Sequence, residues 1–176
     1  MKSADLSPEE WLEREDRVDR ERRLNRLRWI AGEYPPIEFQ LFPGGEMSKY
    51  LFEEARYCFA YGQFLATIML GLAFIEQSLA ASFFAKGRND LERAKFSKLL
   101  PEAVQQGWLS QTGFEQLERA RQNRNTVAHF RRPGHEDTIE RRSVEQDEIP
   151  YTVIEEDARN VLAIIFRLIE RWPFSV

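Results

Sequence analysis

Residues 57–75 read YCFAYGQFLATIMLGLAFI, and between Arg56 and Glu76 no side chain carries a charge. A run of this kind approaches the length that crosses a bilayer. Tyr57, Tyr61, Gly62, Gln63, Thr67 and Gly71 dilute it, and its flanks lack the basic bias that orients a span, so a soluble core helix is the expected reading and no membrane partner is expected. A helix apolar nearly all round needs neighbours on most sides, either in an all-α bundle or against a second copy of the chain. The helical pattern extends from Ser48 to Ala85, with Gly62 and Gly71 as points of bending or of close approach by another helix.

Outward from this run, the chain divides into an arm and a bundle. Ser7, Pro8 and Glu10 form an N-cap, a first-turn proline and a capping box, so a helix opens there. Its pairs Glu10/Arg14, Glu13/Arg17, Asp16/Arg20 and Asp19/Arg23 have the favourable i,i+4 order, and its arginines are read as a solvated, paired face or as a nucleic-acid arm. Apolar residues concentrate near its end, which predicts docking by the last turns. Pro35, Pro36, Pro43, Gly44 and Gly45 mark a loop, giving an N-terminal helical arm and loop over 1–45 and a bundle of about four main helices over 46–176. In the bundle, Asn89/Glu92 and Thr112/Glu115 are spaced as capping boxes, Pro101 restarts or kinks a short helix and Gly107 ends it. Residues 130–150, with Pro133 and Gly134, read as a loop with room for a short hairpin. Thr152/Glu155 opens a last helix whose core face is Ala158, Val161, Leu162, Ile165, Leu168, Ile169 and Trp172.

The helix expected over about 113–129 carries the chemistry. Phe114, Leu117, Ala120, Val127 and Ala128 fall on one stripe, and Arg124 lies near the middle of it. A guanidinium placed there needs a partner, since a charge stranded away from water costs several kcal/mol. Two readings stand side by side: a structural arginine satisfied by an internal carboxylate, and an anion site made from Arg124 with Asn125 and His129 one turn apart. Glu76, the one acid between Glu54 and Asp90, is the expected charge partner of Arg124. Arg119, Arg121, Arg131 and Arg132 surround the motif; they read either as a solvated helix end whose basic residues suit the dipole or as a focal basic patch, with Arg121, Arg131 and Arg132 as RNA-binding candidates.

Composition narrows the classes. The chain of 176 residues has a net charge of -4, which excludes bulk electrostatic coating of nucleic acid and leaves only a focal site. One cysteine, Cys58, in an apolar run gives no disulfide framework, and the polar, acidic start gives no signal peptide; a reducing cytoplasmic setting is expected. Phosphate-binding loops, dinucleotide fingerprints, metalloprotease, hydrolase and zinc-deaminase signatures are absent, and two histidines, His129 and His135, are too few for an ordinary metal site, so no metal or cofactor is expected.

Arg124, Asn125 and His129 match the RNxxxH form of the R-x4-6-H motif, and the order of helices around them resembles the HEPN superfamily over roughly 48–172. The resemblance implies an all-α homodimer whose two motifs meet in one cleft. In many members it implies a metal-independent endoribonuclease of a toxin or phage-defence system, with Arg124 and His129 catalytic, Asn125 supporting, and an antitoxin or other protein as partner. It also admits a non-catalytic HEPN-fold dimer that binds RNA or a partner protein. Toxins of this group that are silenced on a tyrosine two positions after the histidine differ from this chain, which has Arg131 there.

Overall fold

A computed structural model describes residues 6–34, 41–128, 130, 132, 135 and 138–171, without the side chains of 125–128 and 171. Among the described residues the structure is all-helical: α1 (Pro8–Glu33), α2 (Gly45–Ala60), α3 (Phe64–Ala85), α4 (Phe96–Gln105), α5 (Gln111–Ala128), α6 (Ile139–Gln146) and α7 (Pro150–Arg171), with a 3-10 turn at Asn89–Leu91.

The expected single helix from Ser48 to Ala85 is two. Gly62 adopts φ +75°, a left-handed conformation that costs glycine little, and the chain reverses there. The amide of Gly62 donates to the Phe59 carbonyl at 3.0 Å, and α2 and α3 fold back as an antiparallel hairpin. Phe59 meets Phe64 beside the turn at 5.8 Å between ring centres, Phe52 meets Phe74 at 5.5 Å, and the hydroxyls of Ser48 and Ser78 lie 3.5 Å apart at the open end. Halving the run in this way buries more of it than one straight helix could. By length and composition α3 could still cross a bilayer, and half of its most apolar window is buried here.

α7 packs across α3 at Gly71. A Cβ at that position would stand 2.6 Å from Cγ1 of Val161 and 3.2 Å from Cδ1 of Ile165, so the absence of a side chain sets how closely the helices approach. The expected core face of α7 is buried at Ala158, Val161, Leu162, Ile165, Leu168 and Ile169; Trp172 lies outside the described residues. α5 lies against α3 and α7, with Leu117 and Ala120 buried.

The capping box of α1 forms as expected, with the Glu10 amide donating to Ser7 Oγ at 3.2 Å and the Ser7 amide to Glu10 Oε2 at 2.9 Å. Of the four expected i,i+4 pairs, Asp19–Arg23 closes, at 3.9 Å; Arg23 reaches Asp16, two turns back, at 2.8 Å. The last turns of α1 dock as predicted, Trp29 against Phe59 and Phe166, with Ile30 buried. Pro101 lies inside α4, whose end is closed by Gly107 at φ +71°. α5 begins at Gln111, and the hydroxyl that caps it is that of Ser110, which accepts from the Gly113 amide at 3.0 Å.

The region read as a loop over 130–150 contains a helix, α6. Its sequence has only Ile139 and Val144 as large apolar residues, and Val144 is 82% exposed, so no apolar periodicity announced it. Asp147 ends it at φ 54°, and the Ser143 hydroxyl donates to the Glu148 carbonyl just beyond.

Replacing Gly71 by Val should lower stability by about 1–3 kcal/mol through overpacking against Val161, which outweighs any gain in helix propensity. Urea unfolding of Gly71→Val, Val161→Ala and the double variant should give a favourable coupling of at least about 0.5 kcal/mol; simple additivity would show that close approach is not what glycine provides.

Candidate functional site

α5 stays helical through Ala128, so Arg121, Arg124 and Asn125 stand on its last two turns. The side chain of Asn125, and His129 and Arg131 entirely, lie outside the described residues. Arg119 and Arg132 are exposed; Arg121 and Arg124 are half-buried.

The two half-buried arginines differ in charge balance. Arg121 donates through Nε to Glu118 Oε2 at 3.0 Å, and its Nη2 contacts Oε1 of the same carboxylate. This hydrogen-bonded pair holds the Glu118 carboxyl below the usual carboxylate range and raises the guanidinium. Arg121 therefore offers less positive charge to a nucleic acid than its place in the sequence suggested. Among the described residues Arg124 forms no ion pair with a carboxylate.

Glu76 is not its partner. Oε1 of Glu76 accepts from the Phe96 amide at 3.1 Å, the first residue of α4. The reason lies in α4 itself: its N-cap is Lys95, whose side chain supplies no acceptor, while the start of a helix leaves amides unsatisfied and carries partial positive charge. A carboxylate on the apolar α3 satisfies that end, and α4 is thereby tied to α3. The arginine that is buried is Arg26 of α1, 3% exposed and, among the described residues, the only charged group in that state.

Sequence reasoning also missed what secures the end of α5. Asp157 of α7 accepts from both Nη atoms of Arg142 on α6, at 2.7 and 2.8 Å, and from Nδ2 of Asn123 on α5 at 3.3 Å. One carboxylate, with its side chain 16% exposed, joins three helices beside the motif. Asp157 and Arg142 lie fifteen residues apart, across a segment without apolar pattern, so spacing alone gave no signal. His135 is exposed, and its backbone carbonyl accepts from the amide and hydroxyl of Thr138 at 3.0 and 2.8 Å, which shapes the entry to α6. Cys58 is half-buried, donates to Gln63 Oε1 at 3.4 Å, and burial pushes its thiol up, away from the reactive thiolate. Among the described residues no three His, Cys, Asp or Glu side chains are grouped to hold a metal ion.

No protein-family model, curated protein or solved structure matches this chain.

Removing Arg142 should leave the Asp157 carboxylate with only the Asn123 amide among these partners. Arg142→Ala is expected to cost about 1–3 kcal/mol in urea unfolding, and Arg142→Lys to recover little of it, because an ammonium cannot reproduce the two-pronged contact. A second expectation concerns acid. Because Glu118 titrates lower in the folded chain than in the unfolded one, its contribution is fully present above the ordinary carboxylate pKa and is lost as pH falls through the lower folded value. Between about pH 5 and 3 the fall in urea midpoint should be shallower in Glu118→Gln than in the parent.

Proposed function

We propose that the chain is a metal-independent endoribonuclease of HEPN type, working in the cytoplasm as a homodimer with Arg124 and His129 catalytic and Asn125 supporting. The observation that carries this reading is that, among the described residues, no carboxylate pairs with Arg124. The structural alternative required an internal carboxylate for it, Glu76 above all, and Glu76 instead holds the start of α4. A half-buried guanidinium on the last turns of α5, without a carboxylate among the described residues, is suited to an external anion. The helix order lends support: α2, α3, α5 and α7 would be the four main helices of the HEPN-like bundle, with α1 outside it.

The chemistry is transesterification. The 2'-hydroxyl of RNA loses its proton to one imidazole as its oxygen attacks phosphorus; the P–O5' bond breaks as a second group protonates the leaving oxygen. The products are a 2',3'-cyclic phosphate and a 5'-hydroxyl. A histidine titrates near neutrality and can serve as base or acid, but one copy cannot readily do both in one step. Two-fold association supplies a second His129, and Arg124 stabilises charge on the non-bridging oxygens as it grows. Arg132 and Arg119 are the exposed cations at hand to hold the strand, with Arg121 offset by Glu118. A place in a toxin or phage-defence system, with an antitoxin or other protein partner, is part of the same proposal.

Purified protein incubated in EDTA with a mixed RNA pool should cleave it and leave 2',3'-cyclic phosphate ends. His129→Ala and Arg124→Ala, each still helical by circular dichroism, should lower the rate by roughly 10²–10⁴-fold. Equal cleavage by all three proteins would place the activity elsewhere. No cleavage by the parent would favour the non-catalytic HEPN-fold dimer that binds RNA or a partner protein.

A further inference from the structure

The arginines of α1 do more than solvate an arm. Between α1 and the start of α7 lies an open groove of about 730 Å³, a size typical of small-molecule sites. Three guanidiniums line it, Arg22 and Arg26 from α1 and Arg159 from α7, against one carboxylate, Glu155. Glu155 serves two of them at once, Arg26 Nε at 3.4 Å and Arg159 Nη2 at 3.3 Å. Asp19 reaches Arg26 from the edge at 3.7 Å, and among the described residues Arg22 has no ion pair. Even counting Asp19, three cations face two anions, and the excess sits in a groove rather than on an open face.

The buried member is loosely held. The side chain of Arg26 is 4% exposed, and its contacts to Glu155, the Ala60 carbonyl, the Tyr151 hydroxyl and Asp19 span 3.3–3.7 Å. Charge-assisted bonds that satisfy a guanidinium run about 2.7–2.9 Å. Packing keeps the group in place: Arg26 lies over the Phe64 ring at 5.0 Å, and Arg159 over the Trp29 ring at 4.7 Å. The groove also meets the first turn of α7, the positive end of its dipole, where no acidic residue stands. Ile149 and Tyr151, 63% and 45% exposed, give the same groove an apolar wall.

We propose that this groove binds a nucleotide phosphate, taken from a free nucleotide or from one unit of an RNA strand. Arg22 and Arg159 grip the phosphate oxygens, Arg26 supplies charge from behind, and the base lies against Tyr151 and Ile149. The site goes beyond the reading of α5 and stands apart from it, since none of its residues belongs to the RNxxxH motif.

The test is equilibrium binding of adenosine, adenosine 5'-monophosphate and a 2'-O-methyl tetraribonucleotide, which resists transesterification, to the full chain. A phosphate-bearing probe should bind saturably and adenosine should not. Arg22→Glu should weaken that binding by about tenfold or more, while Arg14→Glu, the same charge change elsewhere on α1, should have less than about a twofold effect. Arg159→Gln provides an independent variant from α7 with the same expected loss. His129→Ala protein should bind as the parent does, which keeps this result separate from any outcome of the cleavage assay. Binding of the monophosphate identifies a free-nucleotide site; binding of the tetranucleotide alone identifies an RNA strand. Absence of saturable binding by both, equal binding of adenosine, or equal loss in Arg14→Glu would overturn the proposal.

Discussion

α3 has one ionisable side chain in twenty-two residues, and the rest of the molecule is arranged to bury one half of them, while Leu65, Met69 and Phe84 stay exposed. Leu72, Phe74, Ile75, Leu79 and Phe83 are almost wholly buried, each contributing on the order of 1.5–3 kcal/mol by transfer from water. No single neighbour can cover such a helix. α2 covers one side because Gly62 lets the chain reverse; α7 covers another because Gly71 lets it approach; α5 packs against both α3 and α7. The lone charge, Glu76, sits where it can meet the amides at the start of α4, so even the exception fastens a helix.

Two further charged groups organise the opening turns of α7, on opposite flanks. Glu155 faces α1 and shares itself between Arg26 and Arg159, whereas Asp157, two residues on, faces α5 and α6. A two-residue step on a helix turns about 200°, which is why neighbouring acids serve different partners. Near its end, α5 is thus tied to α7 by a hydrogen bond. Arg124 emerges from a segment that is anchored one residue earlier, at Asn123, which gives its backbone a fixed base.

The parts of this fold legible in the sequence were those written in apolar period or in capping chemistry. The buried face of α7 followed directly from spacing, as did the Ser7 cap and the Gly107 stop. The turn at Gly62 was visible only as a choice, since a glycine in an apolar run permits a bend or a contact equally well. α6 could not be read, because it is fastened by one bidentate ion pair instead of a stripe. The same limit displaced the buried arginine from Arg124 to Arg26. Arg26 sits among charges in sequence and only becomes buried when Ala60, Phe64, Tyr151 and Glu155 gather round it from three other elements. For the candidate site, the placing of Arg121 and Arg124 near the end of a helix was legible and the charge partners were not, since pairing depends on which helix ends need satisfying.

Arg26 also bears on the order in which the chain assembles. Phe59 and Phe64 are joined across five residues, while Arg26 and Glu155 are separated by 129. Loop-closure entropy alone makes the longer connection costlier by about 3 kcal/mol. Desolvating a guanidinium is offset only when the Ala60 carbonyl, the Tyr151 hydroxyl and Glu155 have all arrived, so until then docking α1 gains the contact of Trp29 with Phe59 against the cost of an unpaired charge. A single buried arginine thus makes full docking of the arm conditional on the hairpin and the final helix having met.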